Sequence, residues 1–401
     1  MELIVNPSST LSFMIQCRVR GQGPVDIHLP ISSALPLDVY RTLFERLANH
    51  EGAAAPLELP DEVIEEFRDA GLLVAPDEAV ASLPRFECML NDTFPALMPG
   101  ESSCDQASLV DAHDLVLARE FAWQEQGDGT TALSEAIPFA AALSAARPVL
   151  WVRDPGPRTW MPYHLDESLR KPVFDLCAGR CEAADLPRSV VRTLRLAGIL
   201  APRGAFEMRE QQWRDTLSKT KEMLSREAFA VVRDFLNPMQ LAESRRYYRA
   251  LHRAAAFYPP ISNDACVDQR DWIHNEEVSR FLHHQLLWTV NQLVPEEVRP
   301  SYAYLAVYHP GATLRRHIDR PQCQWNVSLV LDTEPEVNRA SAWPIYLEVQ
   351  GEAREVRLGM GDFVLYRGTD VPHWRKAQPE GCRSTIGFFH FVSMDFEGSL
   401  D

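Results

Sequence analysis

Three things are missing from this sequence, and each absence removes a class of protein. None of the eight cysteines stands in a CxxC pair, so neither a zinc ribbon nor a dense disulfide framework is indicated, and reduced thiols in a cytosol are expected. No stretch reaches the roughly 18 apolar residues that a membrane-spanning helix needs, so no membrane partner is expected. Positive charge is short: 40 Lys and Arg face 56 Asp and Glu, a net charge of −16. Binding to phosphate backbones rests on clustered Lys and Arg that displace counterions, so nucleic acid is not an expected partner. Met1 to Thr10 carries acid and proline where a secretory signal carries basic residues followed by an apolar run, which makes a cytoplasmic location the expectation. What is present is ordinary: 401 residues, 46% of them hydrophobic, enough for two or three domains that each bury a core.

The first half reads as a duplication. Alternating strand-like residues run from Leu11 to Val19, and a second short strand, Val25 to Leu29, follows the Gly21-Gln22-Gly23-Pro24 turn. Leu37 to Leu47 and Asp61 to Ala70 have helical apolar spacing, with Gly71 as a stop and Leu72-Leu73-Val74 as a closing strand. The pattern Leu59-Pro60-x-x-Val63 with Ala70-Gly71-x-Leu73 returns as Leu186-Pro187-x-x-Val190 with Ala197-Gly198-x-Leu200, every match offset by 127 residues. Upstream, Leu37-Asp38 corresponds to Leu165-Asp166 with one residue of slip. Two copies of one small α/β domain are expected, over residues 1–100 and 101–208. Each copy resembles a winged-helix module, and more particularly the peptide-binding domains related to the pyrroloquinoline-quinone chaperone family. That resemblance implies a peptide- or carrier-binding role; modules that only shield a catalytic domain are the plainer alternative.

The second half, 209–401, changes character. A polar stretch from Gln211 to Met223 predicts a linking helix, Phe229 to Leu236 a strand, and Asn237-Pro238 the cap and first residue of a helix running to Ala256. From Tyr302 onward short strands are broken by turns: Tyr302 to Tyr308, Trp325 to Leu331, Ile345 to Val349, Glu355 to Leu358, Phe363 to Tyr366 and Ser384 to Val392. This is the pattern of an all-β barrel or jelly roll, so the chain as a whole is expected to be an α+β multidomain protein.

Within those strands lies Arg316-His317-Ile318-Asp319. On a strand, residues i and i+2 share a face, so His317 and Asp319 can grip one ion together. His373 follows the strand Phe363 to Tyr366. Two imidazoles and one carboxylate form the facial triad of non-haem iron(II), which leaves open positions for substrate. Ten residues beyond His373 stands Arg383, whose guanidinium is suited to fork onto the far carboxylate of a dicarboxylic co-substrate. Tyr308 is placed to donate its hydroxyl to the same group.

Residues 226 to 395 resemble the prolyl-4-hydroxylase-type branch of the 2-oxoglutarate and iron(II)-dependent oxygenases. The likeness is carried by Tyr308-His-Pro-Gly311, His317-Ile-Asp319, Val327-Ser-Leu-Val-Leu331, Gly361-Asp362, His373 and Arg383. It implies a double-stranded β-helix, Fe(II) on His317, Asp319 and His373, and 2-oxoglutarate on Arg383 and Tyr308. It also implies O2 as oxidant, with release of succinate and CO2. Hydroxylation of an amino-acid unit, free or presented on a peptide or carrier, is the implied default, with desaturation or cyclisation as variants. Two positions depart from the pattern. Ala342-Trp343-Pro344-Ile345-Tyr346-Leu347 replaces a common Gly-Gly-x-Leu, and Arg383 stands where several members have Lys.

Other polar residues read more plainly. His283 and His284 point about 100° apart on a helical stretch and are expected on the surface or in a groove. His309 and His390 are expected to pack or to support the ligands, Trp374 and Arg375 to line an entrance or pack, and Asn326 and Ser328 to share one strand face. Two rival readings remain: a peptide-binding protein whose barrel has lost catalysis, and a cupin-type metalloenzyme without a co-substrate.

Overall fold

The computed structural model describes residues 84–90, 111–124, 137–143, 148–260, 267 and 269–400, with short pieces of strand and helix before residue 75. The chain divides into two units. The first comprises Met1–Arg85, Arg246–Ile261 and Asp271–Ile273. In it β1 (Ile4–Val5) runs antiparallel to β5 (Leu73–Val74). The strands β2 (Thr10–Leu11), β3 (Ile15–Cys17) and β4 (Val25–Ile27) form a meander. Tyr258 and Trp272 exchange backbone hydrogen bonds and stack at 4.6 Å. Most of the expected first module, including the helix at 37–47, lies outside the described residues.

The second unit holds the rest of the chain. Its leading part contains β6 (Cys88–Leu90), β7 (Leu115–Leu117), β8 (Phe121–Gln124), β9 (Val149–Arg153) and β10 (Trp160–Leu165). Two helices follow, α1 (Glu167–Cys177) and α2 (Arg188–Leu196), and then β11 (Leu200–Pro202). Asp166 caps α1 by accepting from Ser168 N, as its short carboxylate suits an N-terminus. Leu169, Val173, Val190 and Leu194 point one face of each helix into a core with Tyr163 and Leu165. Gly198, at a φ of +69°, turns the chain from α2 into β11, a left-handed step that glycine makes without a Cβ clash.

The barrel follows α3 (Ala205–Glu227), β12 (Phe229–Val232), α4 (Pro238–Arg253) and α5 (Glu277–Leu293). Its strands are β13 (Val298–Tyr308), β14 (Leu314–His317), β15 (Trp325–Glu334), β16 (Ile345–Val349), β17 (Glu352–Val356), β18 (Phe363–Arg367), β19 (His373–Arg375) and β20 (Arg383–Ser393). Five strands of the larger, six-stranded sheet run β12-β18-β15-β20-β13 and the smaller sheet runs β14-β19-β16-β17, with antiparallel pairing among these strands. Strands alternating between two facing sheets in this way form a jelly roll. Asn237 accepts from Gln240 N at 2.8 Å to start α4, the cap that its sequence indicates.

Two features fix the barrel's rim and outer face. Asp362, just before β18, is fully buried and accepts from Arg233 Nη1 (2.7 Å), Arg339 Nε (2.6 Å), Asp234 N (3.0 Å) and Gly359 N (2.8 Å). Arg339 and the backbone amides outweigh the effect of burial and hold its pKa below the usual carboxylate range. On the outer face, α5 lays Phe281, Leu282, Leu286 and Val290 into the core. His283 is also 3% exposed and contacts the Phe389 and Phe391 rings, with its Nε2 2.8 Å from the carbonyl of His390. It is a buried residue rather than the surface or groove residue expected from its sequence, because α5 is buried over most of its circumference.

Candidate metal centre

β14 ends at His317, and Asp319 follows two residues later in an irregular segment rather than on the strand. β19 begins with His373, which lies opposite His317 in the register of the smaller sheet. The side chains converge: His317 Nε2 and His373 Nε2 are each 3.5 Å from Asp319 Oδ1. The three ligand atoms all lie within 4.8 Å of one another. Ligands about 2.1 Å from a common metal on one octahedral face are about 3 Å apart, so a modest contraction closes this set on an ion.

The hydrogen bonds favour the same role. His317 Nδ1 lies 2.8 Å from the Arg315 carbonyl and His373 Nδ1 3.0 Å from the Val371 carbonyl. A carbonyl can only accept, so each Nδ1 carries the proton and each Nε2 presents its lone pair to the centre. Asn326 Nδ2 donates to Asp319 Oδ2 at 3.2 Å and to Tyr366 Oη at 2.7 Å. Asp319 N donates to the Gly368 carbonyl at 2.8 Å. Asn326 thus reaches Asp319 from the interior of the barrel.

Electrostatics divides the two histidines. Burial pulls the His317 imidazole down, but its contact with Asp319 and the Arg315 carbonyl outweighs this and its pKa is raised. Burial dominates at His373 and lowers its pKa, with partial relief from Asp319. Asp319 itself is lowered, because the His317 hydrogen bond and the nearby imidazoles overcome its burial. His317 and Asp319 keep 21% and 13% of their side-chain surface while His373 keeps 3%, so the centre opens to solvent on the His317 side.

Asp319 also lies within 4.8 Å of Cys323 and His390. Burial, with the Asp319 charge, pushes the Cys323 thiol up to about 12. A thiol that holds its proton this firmly is a poor ligand at neutral pH, which favours the His317, Asp319 and His373 set.

Arg383 is not brought to this centre. Along β20, Ile386 and Phe388 pack inward with Tyr308 and Trp343, while Phe389 faces α5. By strand alternation Arg383 shares the outward face with Phe389. Its guanidinium is half-exposed and ion-paired with Glu334, Nε lying 2.9 Å from Oε2. The expectation that Arg383 reaches into the barrel therefore fails in this geometry by one residue of register, since a single step along a strand reverses the face.

Tyr308 does point inward. It is fully buried, packs edge-on against Trp343 at 5.2 Å, and its hydroxyl has no hydrogen-bond partner. Beside it lies a residue that the sequence reading passed over as packing or entrance lining. Arg375 shares the inward face of β19 with His373, is 2% exposed, and holds its guanidinium 4.8 Å from the centre of the Trp343 ring. The spacing of two from His373 on a strand was the available signal.

No family model matches the chain, and no curated protein does. Solved structures resemble it over less than half its length. A prolyl-4-hydroxylase from Pseudomonas putida is 19% identical, with 43% of this chain and 98% of that one covered at a TM-score of 0.35. A Trichoplax adhaerens prolyl hydroxylase, solved with a hypoxia inducible factor oxygen degradation domain peptide fragment, is 15% identical over 45% and 92% at 0.39. HygX from Streptomyces hygroscopicus, solved with nickel and 2-oxoglutarate bound, is 11% identical over 44% and 87% at 0.35.

Proposed function

We propose that this protein is an iron(II)- and 2-oxoglutarate-dependent oxygenase that hydroxylates an unactivated C–H bond of an amino-acid unit, free or presented on a peptide or carrier. The observation that carries the reading is the triad itself: two Nε2 lone pairs and one carboxylate oxygen aimed at one point, with both imidazoles locked in the ligating tautomer. The donor set of two nitrogens and one oxygen fits Fe(II).

When bound, the iron supplies oxidation of the substrate by O2, coupled to conversion of the 2-oxo acid to succinate and CO2. The chain's own contribution is positional. His317, Asp319 and His373 would hold the ion with three protein ligands, fewer than its full coordination number, so that co-substrate could also reach it. Asn326 donates to the Asp319 carboxylate, and the Gly368 carbonyl accepts from the Asp319 backbone N–H and holds that backbone in place. The buried side around His373 excludes water, and the His317 side gives the substrate access.

The direct test is succinate formation from 2-oxoglutarate by protein reconstituted with Fe(II) under oxygen, since slow turnover without substrate is expected. His317→Ala and Asp319→Ala should abolish it. Wild type that binds Fe(II) yet forms no succinate, with or without candidate peptides, would overturn the proposal.

A further inference from the structure

A buried guanidinium is costly unless something pairs with it. Arg375 is 2% exposed, yet among the described residues no carboxylate forms an ion pair with it. Its Nη1 donates to the Trp343 carbonyl at 2.9 Å, while Nε and Nη2 have no partner. A guanidinium keeps its positive charge at neutral pH. Against the same Trp343 ring lies Tyr308, whose buried hydroxyl is likewise unpartnered. Two free N–H donors and one free O–H thus converge inside the barrel. They lie on the inner faces of β19 and β13, two residues along β19 from the metal ligand His373. Such a set is complementary to an oxyanion, a carboxylate among them.

We infer that Arg375, with Tyr308, binds the carboxylate of the co-substrate distal to the metal, and that Arg383 does not. The inference rests on the proposed oxygenase reading for the identity of the ligand. The burial and the unpartnered donors are independent of that reading. Arg383 is already matched by Glu334 on the outer face, whereas Arg375 lacks an anion.

The test uses binding rather than turnover. Mn(II)-loaded full-length protein is titrated calorimetrically with 2-oxoglutarate and with 2-oxobutyrate, which keeps the chelating end and lacks the second carboxylate. Wild type is compared with Arg375→Met and Arg383→Gln, each checked for folding by thermal melting. Arg375→Met should weaken 2-oxoglutarate binding about 10- to 100-fold and leave 2-oxobutyrate binding within about twofold. Arg383→Gln should change neither. If Arg375→Met binds 2-oxoglutarate like wild type, if Arg383→Gln loses it, or if wild type does not discriminate between the two acids, the inference falls while the oxygenase reading stands. If metal-loaded wild type binds neither acid, both fall together. Should Arg375→Met not fold, Tyr308→Phe replaces it, with the same pattern expected at a smaller, several-fold loss and the same outcomes overturning the inference.

Discussion

A methyl group placed on Gly368 would lie 2.4 Å from Asp319 Oδ2 and 2.5 Å from the carbonyl of Cys323. Neither neighbour is the loose end of a flexible chain, so one of them must move. Gly368→Ala is expected to displace the carboxylate of Asp319, a proposed metal ligand, and weaken Mn(II) affinity at least tenfold. The overpacking should cost about 1–3 kcal/mol of stability. Metal titration and denaturant melts on the same variant measure the two effects, and unchanged metal affinity would show that Asp319 is not held where its oxygen is needed.

Metal binding should also stabilise the fold. A ligand present at about 100 times its Kd adds about 2.7 kcal/mol, so Mn(II) should raise the Tm of wild type by several degrees and EDTA should reverse the shift. His373→Ala should melt at the same temperature with and without metal. A metal-induced rise that survives in this variant would place the ion elsewhere.

Asp362 offers a stability test away from the metal. Asp362→Asn leaves the Arg233 and Arg339 guanidinium groups facing a neutral amide, and since both arginines reach solvent the expected loss is about 2–3 kcal/mol rather than the full cost of an unpaired buried charge. The pKa of Asp362 is depressed in the folded state, so its contribution is complete above the unfolded value of about 3.9 and is lost as pH falls through the lower folded value. The difference between wild type and variant in urea melts should therefore be constant from pH 7 to 5 and shrink in stronger acid.

His283 titrates in the opposite sense to a salt-bridged imidazole. Burial, with His284 and His390 nearby, holds its pKa well below the usual value, so the folded protein keeps it neutral while the unfolded chain takes up a proton. Stability should be complete above about pH 6.5 and decline below it, by about 1.4 kcal/mol per pH unit for each such histidine. His283→Gln should lessen the slope of stability between pH 6.5 and 5.5, and an unaltered slope would assign the effect to other histidines.

How much of this could be seen in the sequence depended on whether the signal was local. The barrel strands announced themselves by apolar runs between turns, and the HxD and the distal histidine by residue type and spacing. Strand facing was the weak point. Arg383 opens β20, and whether it points in or out depends on which residue begins the alternation, a register that pairing with β13 and β15 decides. The same rule, counted from a residue already known to face inward, points to Arg375 directly from His373. His283 was misplaced for a related reason: a helix shows its own polar face in sequence but not how deeply its neighbours cover it. Asn326 and Ser328 share a face because they stand two apart on one strand, but that spacing alone does not say which way the face looks.

The position of β12 sets a practical limit on how the protein can be divided. It is the outermost strand of its sheet and pairs along Phe363 to Tyr366 of β18, a segment buried along its whole length. A fragment beginning at Asp234 would keep every proposed metal ligand yet bare the hydrogen-bonding edge of that apolar strand, a template for pairing with other chains. Expression of the barrel by itself should therefore begin upstream of Phe229, and fragments cut a few residues later should precipitate although nothing has been taken from the site.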